Sequence, residues 1–125
     1  MQDILADAAG PGPVVGALAP GGFRIEDRLY PAVLLTPDRA IAWEPPALAA
    51  LGEGDLRPLL DGEHPYEFLL IGTGPSLVRP PRALVRGLDA RGIGVEAMDS
   101  RAAARAWGVL RAEDRWIGAA LFPHR

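Results

Sequence analysis

The sequence predicts an α/β (α+β) fold in a single compact layered domain, an antiparallel β-meander joined to a β-α-β-α-β half. Residues 23–43 hold three short strand-like runs between turn signals, the first of which alternates apolar and polar side chains with the period of a half-buried strand. Beyond Tyr66 the strand-like runs become continuously apolar and alternate with helical patterns, as in parallel strands covered on both faces. At 125 residues and 49% apolar content, the chain has enough material for one core.

The elements follow in order. Residues 1–13 read as a flexible N-terminal arm, because Gly and Pro interrupt any period, and residues 14–125 as the domain. "VVGALAPGG" starts a strand that turns at Pro20-Gly21-Gly22. Phe23 and Ile25 then alternate with Arg24 and Glu26 in a strand that turns at Asp27-Arg28. "LYPAVLLT" reads as one second strand, with Pro31 at an edge or bulge because it cannot donate to a ladder. "TPDR" places Pro and Asp at favoured β-turn positions, and "AIAW" returns as a third strand. Pro45 and Pro46 stop that strand. Short helical turns are expected before Pro65, with Leu56, Leu59 and Leu60 on one apolar face.

In the second half "YEFLLI" is a buried strand, and a helix is expected from Pro81 to Arg91. Proline suits a first helical turn because its missing N–H would be unpaired there anyway. Leu84, Val85 and Leu88 form its apolar face. Gly92 suits a left-handed closing position, after which Ile93 packs back on the last turn. "GIGVEAM" is the next strand. Asp99 or Ser100 caps a second helix, with Ala103, Trp107 and Leu110 inward and Gly108 expected to end it early. "WIGAALF" is the last strand. Right-handed crossovers make the last three strands largely parallel. The expected core is Phe23, Ile25, Val33, Leu35, Leu69, Ile71, Leu84, Leu88, Val95, Trp107, Leu110 and Ala120.

Composition narrows the function. The net charge of −3 gives no electrostatic reason to expect nucleic acid as a partner. All 13 basic residues are arginine, the pattern of a GC-rich genome. Without cysteine, thiolate chemistry and cysteine zinc sites are excluded, and His64 and His124 lack metal-ligand spacing. No apolar run approaches the roughly 20 residues of a transmembrane helix, and the N-terminus lacks a secretory pattern, so a cytoplasmic location is expected.

Gly72-Thr73-Gly74, between a strand and a helix, invites comparison with phosphate-binding loops. A Walker loop needs a lysine, and the chain has none. A dinucleotide fingerprint needs a third glycine where Leu77 stands. Asp99 sits where a ribose-binding acid would be, but a helix cap is the preferred role. What remains is a small ligand or anion crevice built from Thr73, Gly74, Ser76, Asp99 and Ser100 at the carboxyl ends of parallel strands. Ser76 lies outside a G-x-S-x-G elbow, and Glu113-Asp114 reads as a solvated turn. Arg79, Arg82, Arg86 and Arg91 give one basic face beside the glycine turn. Such a face is usually solvated; Arg79, Arg82 and Arg86 are its candidate contacts with an acidic partner or a lipid surface.

The stretches "GGFRIEDRLY", "TPDRAIAW", "FLLIGTGPSLVRPP" and "GIGVEAMDSRAAARAWGVLRAEDRWIGAAL" resemble the small uncharacterised Mth-type domain family. That family includes the adipogenesis-associated Mth domain-containing protein and a mitochondrial NADH:ubiquinone oxidoreductase complex assembly factor. The resemblance runs from about Gly21 to Leu121. It is most specific at the I-G-T-G turn, Ile71 to Gly74, and at M-D-S-x-x-A-x-R, Met98 to Arg105, which is similar to the family's M-D-T form. Trp107-Gly108 departs from it, since relatives tend to have tyrosine and asparagine there. The resemblance implies a compact β+α sandwich and an interaction or assembly role, such as help in building respiratory complex I. The expectation is therefore a non-catalytic protein with a protein partner and no cofactor. The alternative is a small-molecule- or anion-binding enzyme that uses the crevice at the glycine turn.

Overall fold

The computed structural model describes residues 12–62 and 64–125. The expected N-terminal arm lies outside the described residues except for Gly12 and Pro13. Pro13 is buried, and its carbonyl accepts the indole N–H of Trp107 at 2.9 Å.

A small antiparallel sheet runs β1 (Ala17–Ala19), β2 (Gly22–Ile25), β3 (Arg28–Tyr30). The main sheet holds β4 (Val33–Leu35), β5 (Ala40–Ala42), β6 (Phe68–Gly72), β7 (Gly94–Met98) and β8 (Gly118–Leu121), in the spatial order β5-β4-β8-β6-β7. The helices are α1 (Arg57–Leu60), α2 (Arg82–Ala90) and α3 (Ser100–Ala112). As expected, β6 pairs in parallel with both β7 and β8, while β4 is antiparallel to β5 and β8.

Alternation decides which side of the main sheet each residue serves. Leu69 and Ile71 pack with Leu84 and Leu88 of α2 and with the turns around Leu56 and Leu59. Leu70, between them, packs on the opposite side with Trp107 of α3 and with Phe23 and Ile25 of the small sheet. Both faces are therefore dry, which is why β6 is apolar without alternation.

Local signals account for most boundaries. Thr36 closes the "TPDR" turn, its amide donating to Arg39 O at 2.9 Å and its hydroxyl oxygen accepting from the amides of Asp38 and Arg39. Gly92 adopts φ +80°, and the amide of Ile93 returns to Leu88 O at 2.9 Å, closing α2 as its sequence predicts. Asp99 Oδ1 accepts the amide of Ala102 at 2.9 Å and caps α3.

Some expectations are corrected. "LYPAVLLT" is two strands in two sheets, not one. Pro31 has no N–H to continue the β3 ladder, and the chain bends there before entering the main sheet. The hairpin turn before β3 falls at Glu26-Asp27, one residue earlier than expected, with Glu26 at φ +55°. Gly108 does not end α3. Full burial of Trp107 outweighs the cost of one helical glycine, about 1 kcal/mol. Val85 is exposed rather than inward. Val95 is only half-buried because, among the described residues, β7 has a neighbour strand on one side alone. In the last turn of α3, Arg111 is buried and donates to Arg115 O, while Leu110 sits at the core margin.

His124 was not singled out as a structural residue by its sequence context. It is buried, with Nε2 3.0 Å from Ala19 O and 3.1 Å from Gly22 O. Two carbonyl neighbours require that Nε2 carry the proton. The ring also stands edge-on to Phe23, so it ties the last strand's exit to the small sheet.

Candidate functional site

The glycine turn leaves the carboxyl end of β6. A side chain at Gly72 would place its Cβ 2.9 Å from both Ser100 Cα and Leu121 Cδ2, so the first glycine lets α3 and β8 close on the strand. Gly74 adopts φ +112°, a conformation that side-chain-bearing residues rarely reach. The polar groups of the turn bond one another. The amide of Thr73 donates to Met98 O at 2.9 Å, and that of Gly74 to Ser100 Oγ at 2.8 Å. The amide of Ser100 returns to Gly74 O at 2.8 Å. The hydroxyl of Thr73 donates to Ser76 O at 2.7 Å and accepts from the amide of Val78 at 3.0 Å.

Thr73, Gly74, Asp99 and Ser100 are thus brought together as the sequence suggests. Ser76 joins through its carbonyl, its side chain being exposed. The two amides that a crevice would offer to an anion are already engaged, and Asp99 is engaged as a cap.

The basic face has a different character. Beyond Gly74 the loop carries Leu77, 61% exposed, and Val78, 49% exposed, before Pro80 and Pro81 lead into α2. A groove of about 660 Å³ lies between this loop, α2 and β7. Leu77, Val85, Val95 and Ala97 give it apolar walls, and Arg79, Arg82 and Arg86 stand round it. Arg82 and Arg86 lie one turn apart on the exposed side of α2, an i,i+4 pair of like charge. Among the described residues no carboxylate pairs with these three arginines. Arg91, expected on the same face, is drawn away, with its Nε 2.8 Å from Glu53 Oε1. Val95 and Ala97 were not predicted to belong to this site. Their role depends on β7 being a sheet edge, which a sequence run does not reveal.

The family model described as protein of unknown function (DUF498/DUF598) matches residues 15–122. The chain belongs to the DUF498/DUF598 family. An uncharacterized protein of Rhodobacter capsulatus is 34% identical over 116 residues, covering 92% of this chain and 87% of the relative. The crystal structure of a Bartonella henselae protein, titled an outer membrane protein, is similar at 33% identity and a TM-score of 0.77, covering 92% of this chain and 97% of that one. A Bordetella pertussis protein described as a Mth938-like domain is similar at 28% identity and a TM-score of 0.74, covering 94% and 87% of the two chains. These findings support the Mth-type domain family expected from the glycine turn and the M-D-S stretch.

In this DUF498/DUF598 chain an exposed ion pair, Arg115 Nη2 to Glu67 Oε1 at 2.8 Å, lies at the opposite end of β6 from the glycine turn. A hydrogen bond from Arg115 holds the Glu67 carboxyl below its usual range, and the same bond raises Arg115. Burial raises the neighbouring Tyr66 phenol, with a further push from Asp38. No helix among the described residues is long and apolar enough to cross a membrane.

Proposed function

We propose that this family member is a non-catalytic interaction protein that seats a protein partner in the arginine-lined groove between α2 and β7. The observation that carries the reading is the set of three arginines without acidic partners among the described residues, placed round apolar walls. Charged rims steer encounter and select partners of opposite sign, while apolar area supplies the affinity. The resemblance to a mitochondrial complex I assembly factor supports an assembly task of this kind, with help in building respiratory complex I as its specific form. The alternative, an enzyme working at the glycine turn, has less support, because the amides of Thr73 and Gly74 are engaged within the fold.

The test is affinity capture from the native cell with the wild-type chain and an Arg82→Glu/Arg86→Glu double variant. The expected result is a partner recovered with the wild type and lost with the variant. Recovery of the same partners with both would rule out the groove. Turnover of a metabolite that Asp99→Ala abolishes would overturn the non-catalytic reading.

A further inference from the structure

We infer that the groove takes its partner as an extended acidic segment, which adds a strand to the free edge of β7. This deepens the reading above and rests on it. Among the described residues the sheet ends at β7, so one side of that strand has no neighbour there. The ladder shows which groups this leaves free. Gly94 donates its amide to Glu67 O, and the carbonyl of Met98 accepts from Thr73. Residues 94 and 98 therefore turn their backbone polar groups toward β6, and the period of the parallel ladder puts Glu96 with them. Val95 and Ala97 face the other way, with their N–H and C=O groups directed off the sheet. The same two residues line the groove.

Open edges are usually blunted by proline, a bulge, lysine or a covering segment. β7 has no proline or lysine, and its register with β6 runs without interruption from Gly94 to Met98. Its one charge, Glu96, alternates to the face opposite Val95 and Ala97, away from the arginines. The edge is thus available for pairing on the groove side.

Charge and spacing decide what pairs there. Arg82 and Arg86 are about 6 Å apart along α2. Alternate residues of an extended strand are about 7 Å apart and share a face. A segment with carboxylates at alternate positions therefore presents one to each arginine while its backbone bonds Val95 and Ala97. Guanidinium–carboxylate pairs supply selectivity, and main-chain bonds supply a share of the affinity that is independent of sequence. A phosphate backbone would use the arginines but not the amide edge. A second copy of this chain would bring two sets of the same arginines together.

The probe is a capped synthetic peptide of alternating glutamate and valine, titrated into the isotope-labelled full chain. A lysine-for-glutamate peptide and a single-stranded oligonucleotide serve as comparisons. The amides of Val95 and Ala97 are expected to shift with the acidic peptide only. Their hydrogen exchange should slow about tenfold once the peptide stands about tenfold above its Kd. Ala97→Pro removes an amide that the sheet itself does not use, so an edge strand tolerates it; this variant should lose the exchange effect at Val95. Arg82→Glu/Arg86→Glu should lose binding altogether. Wild-type mapping decides the matter even if Ala97→Pro misfolds. Binding that moves arginine side-chain resonances but leaves Val95 and Ala97 unchanged would overturn strand addition and leave the groove reading standing. Failure of the acidic peptide, with cellular capture still lost on charge reversal, would do the same. Preference for the oligonucleotide would overturn both. Protection of Val95 and Ala97 by self-association without peptide would assign the edge to a second copy instead.

Discussion

The glycine turn and the arginine groove are neighbours in sequence, yet they differ in how their polar groups are used. In the turn, the amides of Thr73, Gly74, Val78 and Ser100 all find acceptors inside the fold. In the groove, three guanidinium groups have no carboxylate among the described residues, and two strand residues turn their backbone groups away from the sheet. The more conspicuous motif is the one the fold consumes. Glycines here mark close approach and a left-handed backbone, which are needs of packing, whereas recognition is better served where packing leaves groups unmatched.

Both regions hang from β6, so Leu69→Ala should cost about 2–5 kcal/mol in a denaturant titration; a loss near zero would mean that β6 is not central. Gly72→Ala sets a methyl against Ser100 Cα and Leu121, and should cost about 1–3 kcal/mol. An unchanged midpoint would show that the close approach is not needed. Ser100→Ala strips the acceptor from the Gly74 amide, an expected loss of about 1–3 kcal/mol for an unmet buried donor. A neutral result would mean that the turn is open enough for water to replace the hydroxyl.

Much of this was legible in the residues. Strand periods, the Asp99 cap, the Gly92 closure and the parallel second half all followed from local chemistry, because each depends on neighbours in sequence. The division of "LYPAVLLT" was not legible, since Pro31 permits an edge, a bulge or a change of sheet, and only packing chooses. Val85 and Val95 were misplaced for one reason. Apolar residues beside an open edge look the same in sequence as apolar residues in a core. The candidate site divided similarly: Arg79, Arg82 and Arg86 were visible as a basic face, while the apolar walls from β7 required the strand order.

Smaller effects sharpen the contrast. Arg82→Glu/Arg86→Glu should change stability by no more than about 0.5 kcal/mol while removing partner capture, because exposed charges without partners contribute little to folding. A large loss of stability would show that the arginines are structural. At the far end of β6, Glu67 has its carboxyl held low chiefly by the hydrogen bond from Arg115. A lowered folded value means that its stabilising contribution is present above the unfolded carboxylate value of about 4.3. It is lost as pH falls through the folded value. The pair is exposed, so comparing acid unfolding of the wild type with Glu67→Gln should show only a slight flattening of the acid limb. A marked shift would mean that this end of the sheet depends on the pair.

Hydrogen–deuterium exchange of the free full chain, read residue by residue, tests the central contrast most directly. The amides of Thr73 and Gly74 should be protected nearly as well as the core of β6, because both are bonded within the fold. Those of Val95 and Ala97 should exchange fast, although they lie in a regular strand. Fast exchange at Thr73 and Gly74 together with protection at Val95 and Ala97 would contradict the account, placing the open site at the turn and a covered edge at β7.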